Sequence, residues 1–130
     1  MIPQTKKFTI LIVEDEISLR NALRDKFTKK GFNVLEAKDG EEGLSVSLKK
    51  QPDLILLDII MPKMDGMTVL KKLRPENKWS KNVPIMLLSN LGGDDELMMM
   101  EIEKDKMTDY LVKSNWSLSE VVEKVKEKLS

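Results

Sequence analysis

The sequence contains no cysteine and no histidine. Without cysteine it has no disulfide, no thiolate metal ligand and no thiol nucleophile. Without histidine it lacks the usual general base near neutral pH, so its chemistry must use carboxylates, hydroxyls, lysines or a bound metal. No apolar run approaches the roughly 20 residues that span a bilayer, and the N-terminal apolar run ends in acidic residues rather than at a cleavage site. We therefore expect a cytoplasmic protein without membrane contact.

The charge of the chain is balanced. Its 22 basic and 22 acidic residues give a formal net charge of zero. Because this balance provides no general attraction to polyanions, direct nucleic-acid binding is not expected. The 130 residues are typical of one domain. No linker or low-complexity tract interrupts them, so residues 1–130 are predicted to form a single domain.

Apolar runs of strand length alternate with segments of helical periodicity. The predicted strands are 8–13, 32–37, 53–58, 83–89 and 107–112. The predicted helices are 16–30, 40–50, 66–73, 94–105 and 118–129. Several strands are continuous apolar runs, as expected for strands covered on both faces. The pattern predicts an α/β fold of the flavodoxin-like doubly wound type, with a single five-stranded parallel sheet in the order 2-1-3-4-5 and helices on both faces.

Acidic residues stand at the ends of the first and third strands. Glu14 and Asp15 follow strand 1, and Asp58 ends strand 3 shortly before Met61-Pro62. In the predicted order these strands are neighbours, and ligands of such sheets bind beyond the carboxyl ends of the strands. Close carboxylates repel one another, and a hard divalent cation with oxygen ligands resolves this conflict. Mg²⁺ is predicted here, because it accepts a few carboxylates and keeps waters and a phosphoryl oxygen.

Two further polar side chains are predicted at the same edge of the sheet. Strand 4 delivers Ser89, and strand 5 delivers Lys113. A carboxylate nucleophile, a metal, a hydroxyl and a lysine together form a phosphoryl-binding site, since each supplies charge or a donor to phosphoryl oxygens.

Four segments, in order, carry a family resemblance. They are ILIVEDE, LILLDIIMPKMDG, PIMLLSN and DYLVKS. Over essentially its whole length the chain resembles the receiver (CheY-like) domain of bacterial two-component response regulators. The resemblance implies that Asp58 accepts a phosphoryl group from a phosphohistidine, with a sensor histidine kinase or phosphotransfer protein as partner. It also implies a metal site and a phosphoryl site, whose members are Glu14, Asp15, Asp58 and the backbone carbonyl of Ile60 for Mg²⁺, and Ser89 and Lys113 for the phosphoryl oxygens.

The resemblance further implies a phosphorylation switch. Tyr110 matches the family's aromatic switch residue, which turns inward when Ser89 moves toward the phosphoryl group. The changing surface, here called the output face, would lie on helices 94–105 and 118–129 and strand 107–112. The chain would be a monomer or a phosphorylation-dependent dimer. It would be a signalling module that catalyses only its own phosphorylation and slow dephosphorylation.

Slow dephosphorylation is predicted from two apolar residues. In the family, the positions of Ile60 and Leu91 flank the route of the hydrolytic water. Neither side chain can orient that water. We therefore expect a long-lived phosphorylated state.

Two positions depart from the family pattern. Ser114 follows Lys113, where the family usually has proline after a cis bond. A cis bond before serine costs about 3 kcal/mol, so either that cost is tolerated or the bond is trans. Asn90 replaces a small residue and could crowd the phosphoryl pocket or form a hydrogen bond near it.

Some residues have a structural interpretation instead. Met98, Met99 and Met100 are expected to be partly core, with at least one exposed, because three consecutive helical positions cannot all face one side. Trp79 is predicted to anchor a loop before strand 4.

Three other functions remain as alternatives. A small aspartyl-phosphate phosphatase or phosphotransferase commonly needs a second acid two residues after the nucleophile, where this chain has Ile60. A flavodoxin-like cofactor binder would carry phosphate loops rich in Ser, Thr and Gly. A pseudo-receiver would bind a protein partner without phosphorylation.

Overall fold

The computed structural model describes residues 7–90 and 96–130. Five parallel strands form one sheet in the order β2-β1-β3-β4-β5. The strands are β1 Thr9–Val13, β2 Asn33–Ala37, β3 Leu54–Asp58, β4 Ile85–Ser89 and β5 Thr108–Val112. The helices are α1 Ile17–Lys29, α2 Gly40–Lys50, α3 Gly66–Leu73, α4 Lys78–Asn82, α5 Glu96–Lys104 and α6 Leu118–Leu129, with a 3-10 turn at Lys113–Asn115. The predicted fold class and strand order are confirmed.

Alternating strand residues form two separate cores, one on each face of the sheet. In β1, Ile10 and Ile12 belong to a core shared with α1 and α6. Leu11 and Val13 belong to a core shared with α2, α3 and α5. Both sets are fully buried, because a parallel strand covered by helices on both faces has no solvent side. This explains the continuous apolar runs in the sequence.

Local sequence signals explain several helix ends. Gly31 follows α1 with φ +94°, a left-handed conformation that glycine adopts without steric cost. Ser117 and Glu120, three positions apart, form a capping box at the start of α6. Asp39 caps α2 by accepting from the Glu42 N–H, but the Glu42 carboxylate accepts from the Lys38 N–H instead of closing the box.

The predicted loop around Trp79 is wrong. Residues 78–82 form α4, which opens with a capping box between Asn77 and Ser80. The sequence of α4 is short and mostly polar and has no apolar periodicity, so it is difficult to distinguish from the sequence of a loop. Trp79 does act as an anchor, since its indole N–H donates to the Pro52 carbonyl at 3.1 Å.

Some predictions fall outside the described residues. Leu91 and the first residues of the predicted helix 94–105 are among them. Within the described part of the chain, none of the helices combines the length and the apolar character needed to cross a bilayer.

Candidate functional site

The strand register aligns the acidic residues at the carboxyl edge of the sheet. Val13 pairs with Leu57, so Glu14 and Asp58 follow at the same level on neighbouring strands. Lys113 follows Val112 at the end of β5. Counted by alternation, these three side chains project on the α1 and α6 side of the sheet, like Ile12, Leu56 and Leu111. The topology thus brings together groups separated by up to 99 positions.

The Lys113 ammonium group lies between the two buried acids. Its Nζ is 2.9 Å from Glu14 Oε1 and 3.2 Å from Asp58 Oδ2. The Glu14 and Asp58 residues are only 2% and 5% exposed. Because little water reaches these charges, their mutual attraction is screened less than that of a surface pair.

The backbone around Asp58 packs closely against the start of α3. The Ile60 N–H donates to Asp58 Oδ1 at 3.3 Å, and the Gly66 N–H donates to the Ile59 carbonyl at 2.8 Å. A Cβ atom at residue 66 would overlap the Asp58 carbonyl oxygen. Glycine at this position therefore allows the start of α3 to pack against the end of β3.

Glu14 is fixed at several atoms. Its N–H donates to the Ala37 carbonyl at 3.0 Å, and its Oε2 accepts from the Glu16 N–H at 3.0 Å. Its carbonyl oxygen accepts from Arg20 Nη1 at 2.8 Å. Sequence reasoning missed Arg20, because no local pattern shows that a side chain on the second turn of a helix reaches back to the preceding strand.

Burial shifts the ionisation of this cluster. Desolvation raises the pKa of the Glu14 and Asp58 carboxyl groups, although Lys113 opposes the shift in both. For Lys113, burial alone would lower the pKa, but the hydrogen bond to Glu14 and the Asp58 and Glu14 charges outweigh it and raise the pKa above its usual value. The acids therefore carry their negative charge at a free-energy cost that an additional cation would reduce.

The acidic cluster fits a hard divalent cation. Glu14, Asp15 and Asp58 each offer a carboxylate oxygen, and these atoms all lie within 4.8 Å of one another. Asp15 is exposed while the other two are buried, so the cluster opens to solvent on one side. Oxygen ligands with an open side suit Mg²⁺, which retains waters in protein sites.

Ser89 and Tyr110 lie on the opposite face of the sheet. Leu87 pairs with Tyr110 and Ser89 pairs with Val112, so both side chains project toward the core shared with α5. Ser89 Oγ and Tyr110 Oη are buried and have no hydrogen-bond partner among the described residues. Buried hydroxyls are usually hydrogen-bonded, so the lack of a partner within the described part of the chain sets these two apart.

The loop after β5 shows the conformation of Ser114 and its contact with Asn90, the two positions that depart from the family pattern. The described residues contain no cis peptide bond, so the bond between Lys113 and Ser114 is trans. The Ser114 N–H donates to the side-chain carbonyl of Asn90 at 3.1 Å. Asn90 therefore links the ends of β4 and β5, and as an exposed residue it does not fill the buried part of the site.

Other predicted residues lie at the rim or on the output face. Ile60 is 60% exposed beside Asp58. On α5, Met98 is buried and Met100 is 53% exposed, as expected for consecutive helical positions. Tyr110 is half-buried on β5.

Comparisons with known proteins agree with this architecture. Residues 10–126 match a family model described as "Response regulator receiver domain". The probable transcriptional regulator ycf27 of Pyropia yezoensis is 41% identical over 111 residues, which cover 85% of this chain and 43% of that protein. The chain thus spans less than half the length of the curated relatives it matches.

Solved structures give the same result. The receiver domain of the Francisella response regulator 1452 has a TM-score of 0.80 and 30% identity, covering 94% of this chain and 96% of that one. The receiver domain of sensor histidine kinase PA1611 from Pseudomonas aeruginosa, with a magnesium ion coordinated in its active-site cleft, has a TM-score of 0.81. At 22% identity, over 95% of this chain and 98% of that one, the second likeness shows the fold alone.

Proposed function

Because this chain belongs to the response regulator receiver domain family, we propose that Asp58 is its phosphoryl acceptor in a phosphorylation-switched signalling reaction. The observation that carries the proposal is the burial of Asp58 beside Lys113, Glu14 and Asp15 at the carboxyl edge of the sheet. Ligands of doubly wound sheets bind at this edge. The donor would be a phosphohistidine on a histidine kinase or phosphotransfer protein, since this chain has no histidine of its own.

In the proposed reaction an Asp58 carboxylate oxygen forms the new bond to phosphorus. The bond between phosphorus and the donor's imidazole nitrogen breaks, and its electron pair stays on that nitrogen. Lys113 would bind a phosphoryl oxygen, and the Ser89 hydroxyl, which has no partner among the described residues, would donate to another. Such fixed charges and donors stabilise the charge spread over the transferring group.

Mg²⁺ would be held by Glu14, Asp15 and Asp58, together with the Ile60 backbone carbonyl that the family resemblance implies. The bound ion would supply positive charge to the carboxylates and to the transferring phosphoryl oxygens. The raised pKa values of Glu14 and Asp58 support the proposal, because they show acids whose charges are incompletely compensated.

Phosphorylation would then change the surface over α5. Ser89 and Tyr110 share one face of the sheet, and both hydroxyls are buried without partners among the described residues. If Ser89 moves to donate to the phosphoryl group, it changes the space next to Tyr110. The output face, formed by α5, β5 and α6, would transmit this change to a protein partner or to a second copy of the chain.

The domain's chemistry would be limited to its own phosphorylation and slow dephosphorylation. Ile60 stands two residues after Asp58, where an enzyme with turnover would need an acid. Steady release of phosphate from a small phosphomonoester would contradict this part of the proposal and favour the phosphatase alternative.

Incubation with acetyl phosphate and Mg²⁺, followed by mass spectrometry of the intact protein, tests the main proposal. Here the bond between phosphorus and oxygen breaks, and acetate leaves with the electron pair. A single phosphoryl adduct is expected on the wild type and on the surface variant Asp109→Asn, and none on Asp58→Asn. An adduct that persists in Asp58→Asn, or that forms equally well in excess EDTA, would refute the proposal.

A further inference from the structure

Arg20 connects three elements beside the acidic cluster. It lies on α1, donates from Nη1 to the Glu14 carbonyl at 2.8 Å, and places Nε 3.4 Å from Glu36 Oε1 on β2. Its side chain is only 16% exposed. Glu36 pairs with Ile12 in the sheet, so it projects toward the α1 side, where it can orient the guanidinium group.

Besides Arg20, two hydrogen bonds hold the segment between β1 and α1, from the Glu14 N–H to the Ala37 carbonyl and from the Glu16 N–H to Glu14 Oε2. Glu16 caps α1 without a side-chain hydrogen bond. The Asp15 carboxylate is exposed, and no hydrogen bond to it occurs within the described residues. The direction of that carboxylate therefore depends on how the backbone on either side is held, including the peptide plane between residues 14 and 15. The oxygen of this peptide is the Glu14 carbonyl that Arg20 holds.

We propose that Arg20 is a positioning residue for the divalent-cation site: from α1, with Glu36 as its orienting partner, it holds the Glu14 carbonyl and thereby aims the Asp15 carboxylate at the cluster. This inference rests on the proposed function, because it assumes that Glu14, Asp15 and Asp58 hold Mg²⁺. Arg20 itself is not one of the proposed ligands of the metal or of the phosphoryl group. Residues that orient metal ligands commonly change metal affinity by about 10- to 100-fold when they are replaced.

Whether the Mg²⁺ affinity falls or rises when Arg20 is replaced distinguishes a positioning role from a purely electrostatic one. Arg20 is positively charged, so loss of its charge alone would increase the affinity of the acidic cluster for a divalent cation. Positioning predicts the opposite result, a weaker Mg²⁺ affinity. Arg24 is a matched control, since it lies one turn further on α1 and places Nη1 3.7 Å from Glu36 Oε2 but makes no hydrogen bond to the β1–α1 segment within the described residues.

Calorimetric titration with MgCl₂ measures the effect directly. We expect Arg20→Met to weaken Mg²⁺ binding about tenfold. Arg20→Lys should recover part of the loss, because one ammonium group can reach the carbonyl but cannot also present a second nitrogen to Glu36. Arg24→Met should bind Mg²⁺ as the wild type does or slightly more tightly.

The Mg²⁺ dependence of phosphorylation by acetyl phosphate gives a second readout. In Arg20→Met the Mg²⁺ concentration for half-maximal rate should rise about tenfold, while the rate at saturating Mg²⁺ stays within about twofold of the wild type. A general structural defect would instead lower the saturating rate. If Arg20→Met does not fold, Arg20→Lys and Glu36→Gln carry the test, with a weaker Mg²⁺ affinity expected in each.

Unchanged Mg²⁺ affinity in the folded Arg20 variants, or an equal loss in Arg24→Met, would overturn the positioning role. These results differ from failure of the proposed function. In that case the wild type itself would bind no Mg²⁺ at millimolar concentration.

Discussion

Lys113 Nζ lies closer to Glu14 than to the proposed phosphoryl acceptor, at 2.9 Å from Glu14 Oε1 against 3.2 Å from Asp58 Oδ2. The lysine is therefore the internal counterion of a residue that is also a proposed metal ligand. A Mg²⁺ ion bound as proposed would compensate the same carboxylates as Lys113, so it would weaken the interaction between Lys113 and Glu14. Lys113 would then be available to bind a phosphoryl oxygen.

This relationship predicts the behaviour of Lys113→Met. Without the lysine the acids lose their cation, so the metal-free variant should melt at a lower temperature than the wild type. Its Mg²⁺ affinity should rise by roughly tenfold, because the ion no longer meets a neighbouring positive charge. Differential scanning fluorimetry and calorimetry measure the two effects. Lys128→Met, which removes a partly exposed partner of Asp109 outside the acidic cluster, should change neither by much.

The raised pKa values predict how stability depends on pH. A carboxyl group whose pKa is higher in the folded than in the unfolded chain favours folding while it is protonated. The free energy of unfolding of the metal-free protein should therefore fall as the pH rises through the normal carboxyl range and above it, while Glu14 and Asp58 lose their protons.

The variant Asp58→Asn isolates one of these groups. In EDTA at pH 7.5 it should melt at a higher temperature than the wild type, and the difference should shrink as the pH is lowered toward 5. Asp109→Asn, at a half-buried position outside the acidic cluster, provides the comparison, with little change expected at either pH. If the metal-free wild type is more stable than Asp58→Asn at pH 7.5, the negative charge of Asp58 does not destabilise the folded protein, and this prediction is wrong.

The Ser89 hydroxyl, which lacks a hydrogen-bond partner within residues 7–90 and 96–130, leads to a prediction for the stability of Ser89→Ala. Ser89→Ala removes a buried hydroxyl that has no partner among the described residues, so it should leave stability unchanged or raise it by up to about 1 kcal/mol. Ser80→Ala should lower stability by about 1 kcal/mol, because the equally buried Ser80 hydroxyl closes the capping box of α4. Urea unfolding compares the two variants, and an equal loss in both would show that Ser89 is bonded.

The apolar side chain of Ile60 beside Asp58 leads to a prediction for the lifetime of the phosphorylated state. Because it is 60% exposed, Ile60→Asn should fold normally, and its amide would offer a donor and an acceptor to the hydrolytic water. Decay of the phosphorylated protein, followed by mass spectrometry after removal of acetyl phosphate, should be several-fold faster in this variant. Ile17→Asn replaces another isoleucine of 62% exposure and should decay at the wild-type rate. Loss of the label from the wild type within seconds would rule out slow dephosphorylation.

Much of the fold was predictable because its signals are local. Apolar runs of strand length predicted all five strands to within about two residues, and the capping-box spacing of Ser117 and Glu120 marks the start of α6. The sheet order followed from the strand–helix alternation. The short α4 was missed, since its signal is a polar capping box without an apolar stripe.

That Glu14, Asp15, Asp58 and Lys113 lie together was also predictable from the sequence, since the ends of parallel strands share one edge. Their partners were not. That Lys113 pairs with Glu14 as well as Asp58, and that Arg20 holds the Glu14 carbonyl, depends on side-chain reach across separate elements. The trans bond at Lys113-Ser114 and its link to Asn90 are likewise products of the folded loops.

By itself, the sequence determined which residues form strands and helices and which charged groups end those strands, because apolar periodicity, capping and turn chemistry act over a few neighbouring positions. Only the tertiary structure decided which carboxylates Lys113 contacts and which hydroxyls are buried without partners among the described residues. It also decided that Arg20 is the arginine that donates to the Glu14 carbonyl. Those outcomes depend on strand register and on the packing of helices against the sheet, which bring together groups that are far apart along the chain.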